Sequence, residues 1–376
     1  MVARIILSLT LISFVFYLYY LRIFYLGLKA KKQHFSPFRK RVSVVVAARN
    51  EEENISRLLT SLVNQEYPPE LFEIIIADDD SEDETADLVM KFAEKWDNIK
   101  LIKVKNREQA LSPKKNALAQ AIEKASGEII MTTDADCIVG KYWIKSTVAA
   151  FDDKTAMVSG FSRTNIGNWK TAKNVKKFEH FDFLVMFFAA AGAISKGKYF
   201  SCSGQNLAYK KSAFEKVGGF EPIKHLISGD DVNLMQLMRR QKMKISFNFS
   251  PHSFVITRAI GSWKELFNQR SRWASNSKWQ VLLNPEFFVY LVFVFIATLF
   301  PFVLLFFNWK IGLLLIFAKY ISDFYFVRLG FRIFGLERER LKYFPFWFFL
   351  QPPYIILVTL MGIFDIFKWR TGKEKS

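Results

Sequence analysis

Two aspartates one residue apart, Asp134 and Asp136, follow the apolar and β-branched run Ile129-Ile130-Met131-Thr132-Thr133. Such a run reads as a buried strand, and open α/β sheets bind ligands at the carboxyl ends of their strands. Carboxylates this close repel each other unless a cation lies beside them. Hard oxygen ligands suit Mg²⁺ or Mn²⁺, which commonly share their coordination with substrate phosphates. Taken alone, the tripeptide reads equally well as a solvated turn. A second acidic pair, Asp230 and Asp231, stands after Gly229 at the start of a helical pattern, where it either caps the helix or holds a raised-pKa base. A third group, Asp78 to Asp80, comes after the apolar run 72–77. Farther on, Gln269, Arg272 and Trp273 are spaced i, i+3, i+4, so one helix face carries all three. There a guanidinium suits a diphosphate, and an indole offers a flat wall to a sugar or lipid; the rival reading is a basic anchor helix at the headgroup level.

The elements that position these groups alternate. Strands are expected at 42–47, 72–77, 99–104 and 128–133, with helices at 54–65, 83–95 and 114–124 between them. Repeated strand–helix units imply a mostly parallel sheet covered on both faces. Beyond Gly140 the pattern loosens. A long helix is expected over 169–194, either lying on a membrane surface or packed in a core. A strand is expected at 203–209 and a helix at 231–240. A basic helix with Trp263, Leu266, Phe267 and Trp273 is expected over 262–281, in the plane of a lipid interface.

The 376-residue chain is 51% hydrophobic, contains 40 Phe and carries a formal charge of +18. Nucleic-acid binding is disfavoured as the reason for the charge, because many of the basic residues flank apolar runs rather than cluster in a folded domain. Residues 5–28 read as a retained transmembrane anchor, and the basic residues from Lys29 to Arg41 place the adjoining strand–helix domain in the cytoplasm. Apolar runs at 287–307 and 311–327 read as a hairpin across the bilayer, in which Lys319 and Asp323 sit one turn apart and can pair. The run 344–367 is broken by Pro345, Pro352 and Pro353, and is either a further span or re-entrant. Cys137 and Cys202 lack metal-ligand spacing and read as free thiols. The expected order is an anchor (1–28), a cytoplasmic domain (40–260), an interface helix (261–284), a transmembrane region (285–367) and a basic tail (368–376). The expected location is the cell (inner) membrane, multi-pass.

Four ordered stretches between Val42 and Trp273 resemble the membrane-bound family 2 glycosyltransferases, the inverting group that includes cellulose, chitin and hyaluronan synthases and ceramide glucosyltransferase. The resemblance implies an α/β GT-A domain with N- and C-terminal transmembrane helices. It implies transfer of a sugar from a UDP- or GDP-linked donor, with Mg²⁺ or Mn²⁺, to a lipid or saccharide acceptor at the membrane. On the donor side it places Ala47, Arg49 and Glu51 after the first strand, Asp79 on the base, Lys114 near the diphosphate and Asp134 near the ribose. Asp136 becomes the metal ligand, and Asp231, beside Asp230, the general base. Gln269, Arg272 and Trp273 complete the catalytic set. Asp80 stands where the family often has glycine, and Lys115 is a rival to Lys114. Gly204 and Asn206 fall in an acceptor-side segment. Two other readings are a processive polysaccharide synthase and a non-catalytic membrane scaffold that keeps the fold.

Overall fold

The computed structural model describes residues 2–30, 39–105 and 111–368. The basic residues expected at 31–32 and nearly all of the basic tail fall outside them. Helix α1 (Val2–Lys29) opens the chain. Then come β1 (Val42–Ala48), α2 (Ile55–Val63), β2 (Phe72–Asp78), α3 (Thr85–Ala93), β3 (Ile99–Lys103), α4 (Pro113–Lys124) and β4 (Ile129–Thr132). Each expected strand and helix of this half is present, shifted at its ends by a residue or two. Ile55, Leu58, Leu59 and Leu62 recur at helical spacing along α2 and are all fully buried. Side chains of that size each contribute roughly 1.5–3 kcal/mol when withdrawn from water.

The chain continues through β5 (Ile138–Val139), α5 (Trp143–Val148), β6 (Thr155–Gly160), β7 (Ser162–Asn165) and α6 (Asn174–Ile194). Next are β8 (Leu207–Lys210), α7 (Lys211–Lys216), α8 (Val232–Arg240), β9 (Lys244–Asn248) and β10 (Val255–Arg258). The strand expected from 203 starts later, because residues Gly204–Asn206 form a 3₁₀ turn ahead of β8. Last come α9 (Trp263–Ala274), α10 (Gln280–Leu283), α11 (Pro285–Leu304), α12 (Trp309–Ile333) and α13 (Phe344–Ile363).

The chain divides into two units, residues 31–166 with 197–259, and residues 1–30 with 167–196 and 260–376. The first contains a seven-stranded sheet, ordered β3-β2-β1-β4-β8-β6-β9, and a three-stranded sheet, β5-β10-β7. Strands β3, β2, β1 and β4 are parallel, and β8 runs antiparallel between β4 and β6. The reversal brings the start of β8 to the carboxyl end of β4, since Leu207 pairs with Thr132. Topology alone therefore gathers the loops after β1, β2 and β4 and the turn before β8 at one edge.

The second unit is helical. The segment 167–196 interrupts the expected 40–260 domain and belongs here, with the terminal helices. Of the two readings of α6, the core-packing one holds: Phe178, Glu179, Phe181, Asp182, Phe183 and Leu184 are buried around its whole circumference. The backbones of α1 and α6 meet at two glycines, and a Cβ on Gly27 would lie 1.9 Å from the Gly192 carbonyl oxygen. α13 is a single helix through Pro352 and Pro353 rather than a broken segment. Among the described residues three stretches, Ala3–Lys29, Pro285–Leu304 and Arg338–Ile363, are long and apolar enough to cross a membrane. Within α12 the expected pair forms, with Lys319 Nζ 2.6 Å from Asp323 Oδ2 and Tyr17 donating to the same carboxylate.

Candidate functional site

The β1–α2 and β2–α3 loops are laced together by their polar residues. Ser81 Oγ accepts from the Asn50 amide (3.1 Å) and Asn50 Oδ1 from the Glu82 amide (2.9 Å). Thr85 Oγ1 accepts from the Glu51 amide at 2.8 Å. Asn50 and Asp80 adopt φ of +52° and +61°, a region that asparagine and aspartate tolerate better than most residues. The turn is therefore built with Asp80 where glycine is the easier choice. Asp78 and Asp79 are buried, and the Asp79 amide donates to Ala48 O at 2.8 Å. Ala47 sits near the end of β1, opposite Ala77. The Glu51 carboxylate accepts from Asn54 Nδ2 at 2.7 Å. Arg49 Nη2 lies 4.0 Å from Glu82, and its buried Nη1 has no hydrogen-bond partner among the described residues.

The two acidic motifs meet through one lysine. Lys114, in the first turn of α4, places Nζ 2.7 Å from Asp134 Oδ1 and 3.4 Å from Asp230 Oδ2. Burial works against this ammonium, but Asp134 and Asp230 outweigh it and hold its pKa above the ordinary lysine range. Lys115, the rival, is fully buried and donates instead to the carbonyls of Ile223 (2.9 Å) and Leu226, fixing the segment that leads into Asp230. Burial pulls its pKa down to about 8.

Asp231 is the N-cap of α8, as its position before the helix suggests. One oxygen accepts from the Val232 amide and the other from the Gly204 amide at 2.8 Å. Burial first, and Asp230 second, push its carboxyl up to about 6. Capping and chemistry are thus compatible at this residue. Asp136 is raised to about 6 by burial, then by Asp134 and Glu51. Its Oδ1 lies 3.4 Å from Thr257 Oγ1 of β10, which also accepts from Gln205 Nε2 at 3.3 Å. The small sheet, in which β5 pairs with β10, thus braces the turn that carries Asp134 and Asp136.

No set of three or more His, Cys, Asp or Glu side chains arranged for a metal occurs among the described residues. An oxygen-rich site with one or two carboxylates fits a hard divalent cation whose remaining ligands are phosphate oxygens and water. A raised carboxylate pKa in a cluster of like charges is consistent with such a cation, which would lower it again.

Asn206 is legible in the sequence only as a plausible shaper. Its Oδ1 accepts from Trp143 Nε1 (3.0 Å), and its Nδ2 donates to Phe161 O (2.9 Å) and Ser253 O (2.7 Å). It therefore ties the turn under Asp231 to three separate segments. Gly204 is expected in the same acceptor-side segment, and its amide proves to hold Asp231; Thr257 carries no signal in the sequence. His180 and His252 are structural: the first bonds Arg340 at 2.9 Å and the second packs edge-on against Tyr142.

Gln269, Arg272 and Trp273 lie on α9, in the helical unit. All three are half-buried; the helix expected over 262–281 ends at Ala274, a 3₁₀ segment (Ser275–Trp279) and α10 follow it, and its intervening Arg270 is buried. Arg270 reaches Asp182 at 3.4 Å and Gln269 Oε1 at 2.6 Å, with its guanidinium 4.2 Å from the Trp273 ring centre. Asp182 also accepts from Gln351 (2.9 Å), Tyr354 (3.3 Å) and Trp347 (3.4 Å). The face with the expected triplet is thus oriented by a buried ion pair behind it.

Residues 43–218 match the family described as Glycosyl transferase family 2. The Bacillus subtilis probable glycosyltransferase YdaM is 30% identical over 247 residues, 64% of this chain and 56% of the relative. A beta-monoglucosyldiacylglycerol synthase of Trichormus variabilis is 30% identical over 237 residues, 62% and 48% of the two chains. The chain spans about half the length of these curated relatives. Among solved structures, the mannosyltransferase PcManGT of Pyrobaculum calidifontis, in complex with GDP-Man and Mn²⁺, superposes with a TM-score of 0.63. The superposition covers 97% of this chain and 99% of the other at 20% identity, a likeness of fold.

Proposed function

We propose that this chain, which carries a glycosyltransferase family 2 domain in a GT-A-like α/β fold, transfers a sugar from a UDP- or GDP-linked donor to a hydroxyl of a membrane lipid, with inversion. The observation that carries the reading is the Lys114 bridge between Asp134 and Asp230, beside a carboxylate, Asp231, that burial and Asp230 push up to about 6. Donor-side and acceptor-side acids thereby share one cluster at the carboxyl edge of the sheet.

In this reading Asp79 accepts from the base, an imide or amide N–H, since an ionised carboxylate only accepts. Ala47, Arg49 and Glu51 border the nucleotide, and Asp134 borders the ribose. Asp136 would hold Mg²⁺ or Mn²⁺, and that cation would supply neutralisation of charge on the leaving diphosphate. Lys114, freed from Asp134 and Asp230 as donor enters, turns its ammonium to that diphosphate. Asp231 takes the proton of the acceptor hydroxyl as it attacks the anomeric carbon in a single displacement. Its bond from the Gly204 amide fixes one oxygen, and Asp230 beside it keeps the proton affinity high. Arg272 serves the leaving diphosphate, and Gln269 and Trp273 the acceptor.

The lipid acceptor is supported by three apolar membrane-length helices and by the relatives named for diacylglycerol glucosylation. Placement in the cell membrane with the sheet unit on the cytoplasmic side rests on the basic residues after α1. The test uses a sugar-labelled donor and membrane lipid extract. One labelled sugar per organic-soluble lipid supports the reading; a long water-soluble chain would make the protein a polymer synthase, and no transfer would favour a scaffold.

A further inference from the structure

Tyr209 is fully buried in the sheet unit, and its hydroxyl has no hydrogen-bond partner among the described residues. A phenol withdrawn from water without a partner is less favourable than the phenylalanine that would fill the same space. Its place is set by its neighbours. Tyr209 lies in β8, where it pairs with Ile130 of β4 and Met157 of β6, and its ring stacks on Phe214 at 5.6 Å. The hydroxyl stands in the field of the acidic cluster. Burial first, and Asp230 second, hold its pKa above the ordinary tyrosine range, while Lys114 works the other way. Asp230 therefore has two neighbours of donor type, the Lys114 ammonium at 3.4 Å and a phenol without a partner. The backbone leading to Asp230 is tied to α4 by Lys115, through the carbonyls of Ile223 and Leu226.

Lys114 serves Asp230 only while its ammonium stays there. Once the donor diphosphate draws it away, Asp230 and Asp231 are adjacent carboxylates without a counter-charge, and they repel. A phenol can donate one hydrogen bond to a carboxylate, and the charge on the acceptor makes that bond stronger than a neutral one. Being neutral itself, it steadies Asp230 without cancelling the charge that raises the proton affinity of Asp231. Tyr209 is too buried to touch either substrate, so its effect on transfer runs through Asp230.

We infer that Tyr209 is a positioning residue for the acceptor-side acids: its hydroxyl takes Asp230 over from Lys114 when the donor binds and holds that carboxylate in place during transfer. The donor-dependent half rests on the transferase reading above; the exchange of partners at Asp230 does not.

The test is a double-mutant cycle on the full-length protein in detergent. It is read by thermal unfolding without donor, and by nucleoside-diphosphate release with Mn²⁺, donor and membrane lipid. Tyr209→Phe removes one oxygen and keeps the ring, so its unfolding midpoint should equal or exceed that of the unmodified protein. In a Lys114→Met background, where Asp230 has lost its cation, the same change should lower the midpoint by about 2–4 °C. In turnover, Tyr209→Phe should lower kcat about tenfold and leave the donor KM unchanged. A side chain that only fills the core would move neither kcat nor the cycle. Equal effects of Tyr209→Phe on the midpoint in both backgrounds, or a kcat within about twofold of the unmodified protein's, would overturn the inference. If Lys114→Met yields no folded protein, kcat decides. If the unmodified protein releases no nucleotide from any donor, the transferase reading fails and the cycle alone decides the exchange at Asp230.

Discussion

The carboxylates of the sheet unit divide into two kinds by their partners. Glu73 is buried, yet Lys100, Ser43 and Ser126 outweigh the burial and push it down to about 2, so it is a structural anion. Asp231 and Asp136, half-buried among other acids, are pushed up to about 6 instead. A general base must be ionised to act, so kcat/KM should rise about tenfold per pH unit below pH 6 and level off above it. The pH–rate profile measured over about pH 4–8 checks this, with the inflection moved below 6 where a bound cation lowers the cluster's pKa values; a profile with no acid limb contradicts it. The same shift has a stability sign. Because the folded state holds the Asp231 proton more tightly than the unfolded chain, its contribution is present at low pH and is lost as pH rises through about 6. Replacing Asp231 by Asn should lower kcat by roughly 10²–10⁴ while donor binding, followed by calorimetry, survives. Unchanged turnover would remove Asp231 from the role of base.

Elements explain why part of this site is legible in the sequence and part is not. The motif acids can be placed because strand ends and helix starts fix where they go. Lys114 and Lys115 are adjacent on α4, and successive helical residues point about 100° apart, so one faces the acids and the other the core. Choosing between them needs the orientation of α4, which spacing does not contain. Likewise the i, i+3, i+4 spacing of Gln269, Arg272 and Trp273 defines a face but not what lies behind it, and Arg270 with Asp182 proves to be the buried pair. The pair Lys319–Asp323 is legible because it is local, one turn apart on one helix. The assignment of α6 to the helical unit is not, because its Lys-rich start and Phe-rich end suit a surface or a core equally. Two predictions belong at this scale. Asn206→Ala leaves Trp143 Nε1 and the Ser253 carbonyl without these partners, while Phe161 O keeps the Val255 amide, and should cost about 1–3 kcal/mol per orphaned group, with activity falling alongside. Thermal unfolding in detergent measures the first and turnover the second. Gly192→Val would drive a side chain into Phe24, whose carbonyl lies 2.3 Å from the Cβ position, and should destabilise by about 1–3 kcal/mol or more. Gly140→Ala, whose Cβ meets only His252 O at 3.5 Å, is the mild comparison in the same assay.

At the scale of the molecule, hydrophobic excess and positive charge belong to one arrangement: apolar helices flanked by basic residues, in a chain that also builds an acidic site on a sheet. The chain is therefore expected to remain in the membrane pellet after an alkaline carbonate wash; release into the supernatant would contradict the membrane reading. In the proposed reaction the acidic cluster cleaves a nucleoside-diphosphate sugar for transfer. The most direct measurement is nucleoside-diphosphate release by the purified full-length protein, with Mn²⁺ and membrane lipid, across UDP- and GDP-sugars, beside Asp136→Ala. Release from one donor class, lost in Asp136→Ala, is expected. Release that is equal in the two proteins, or silence across every donor with lipid supplied, would contradict it.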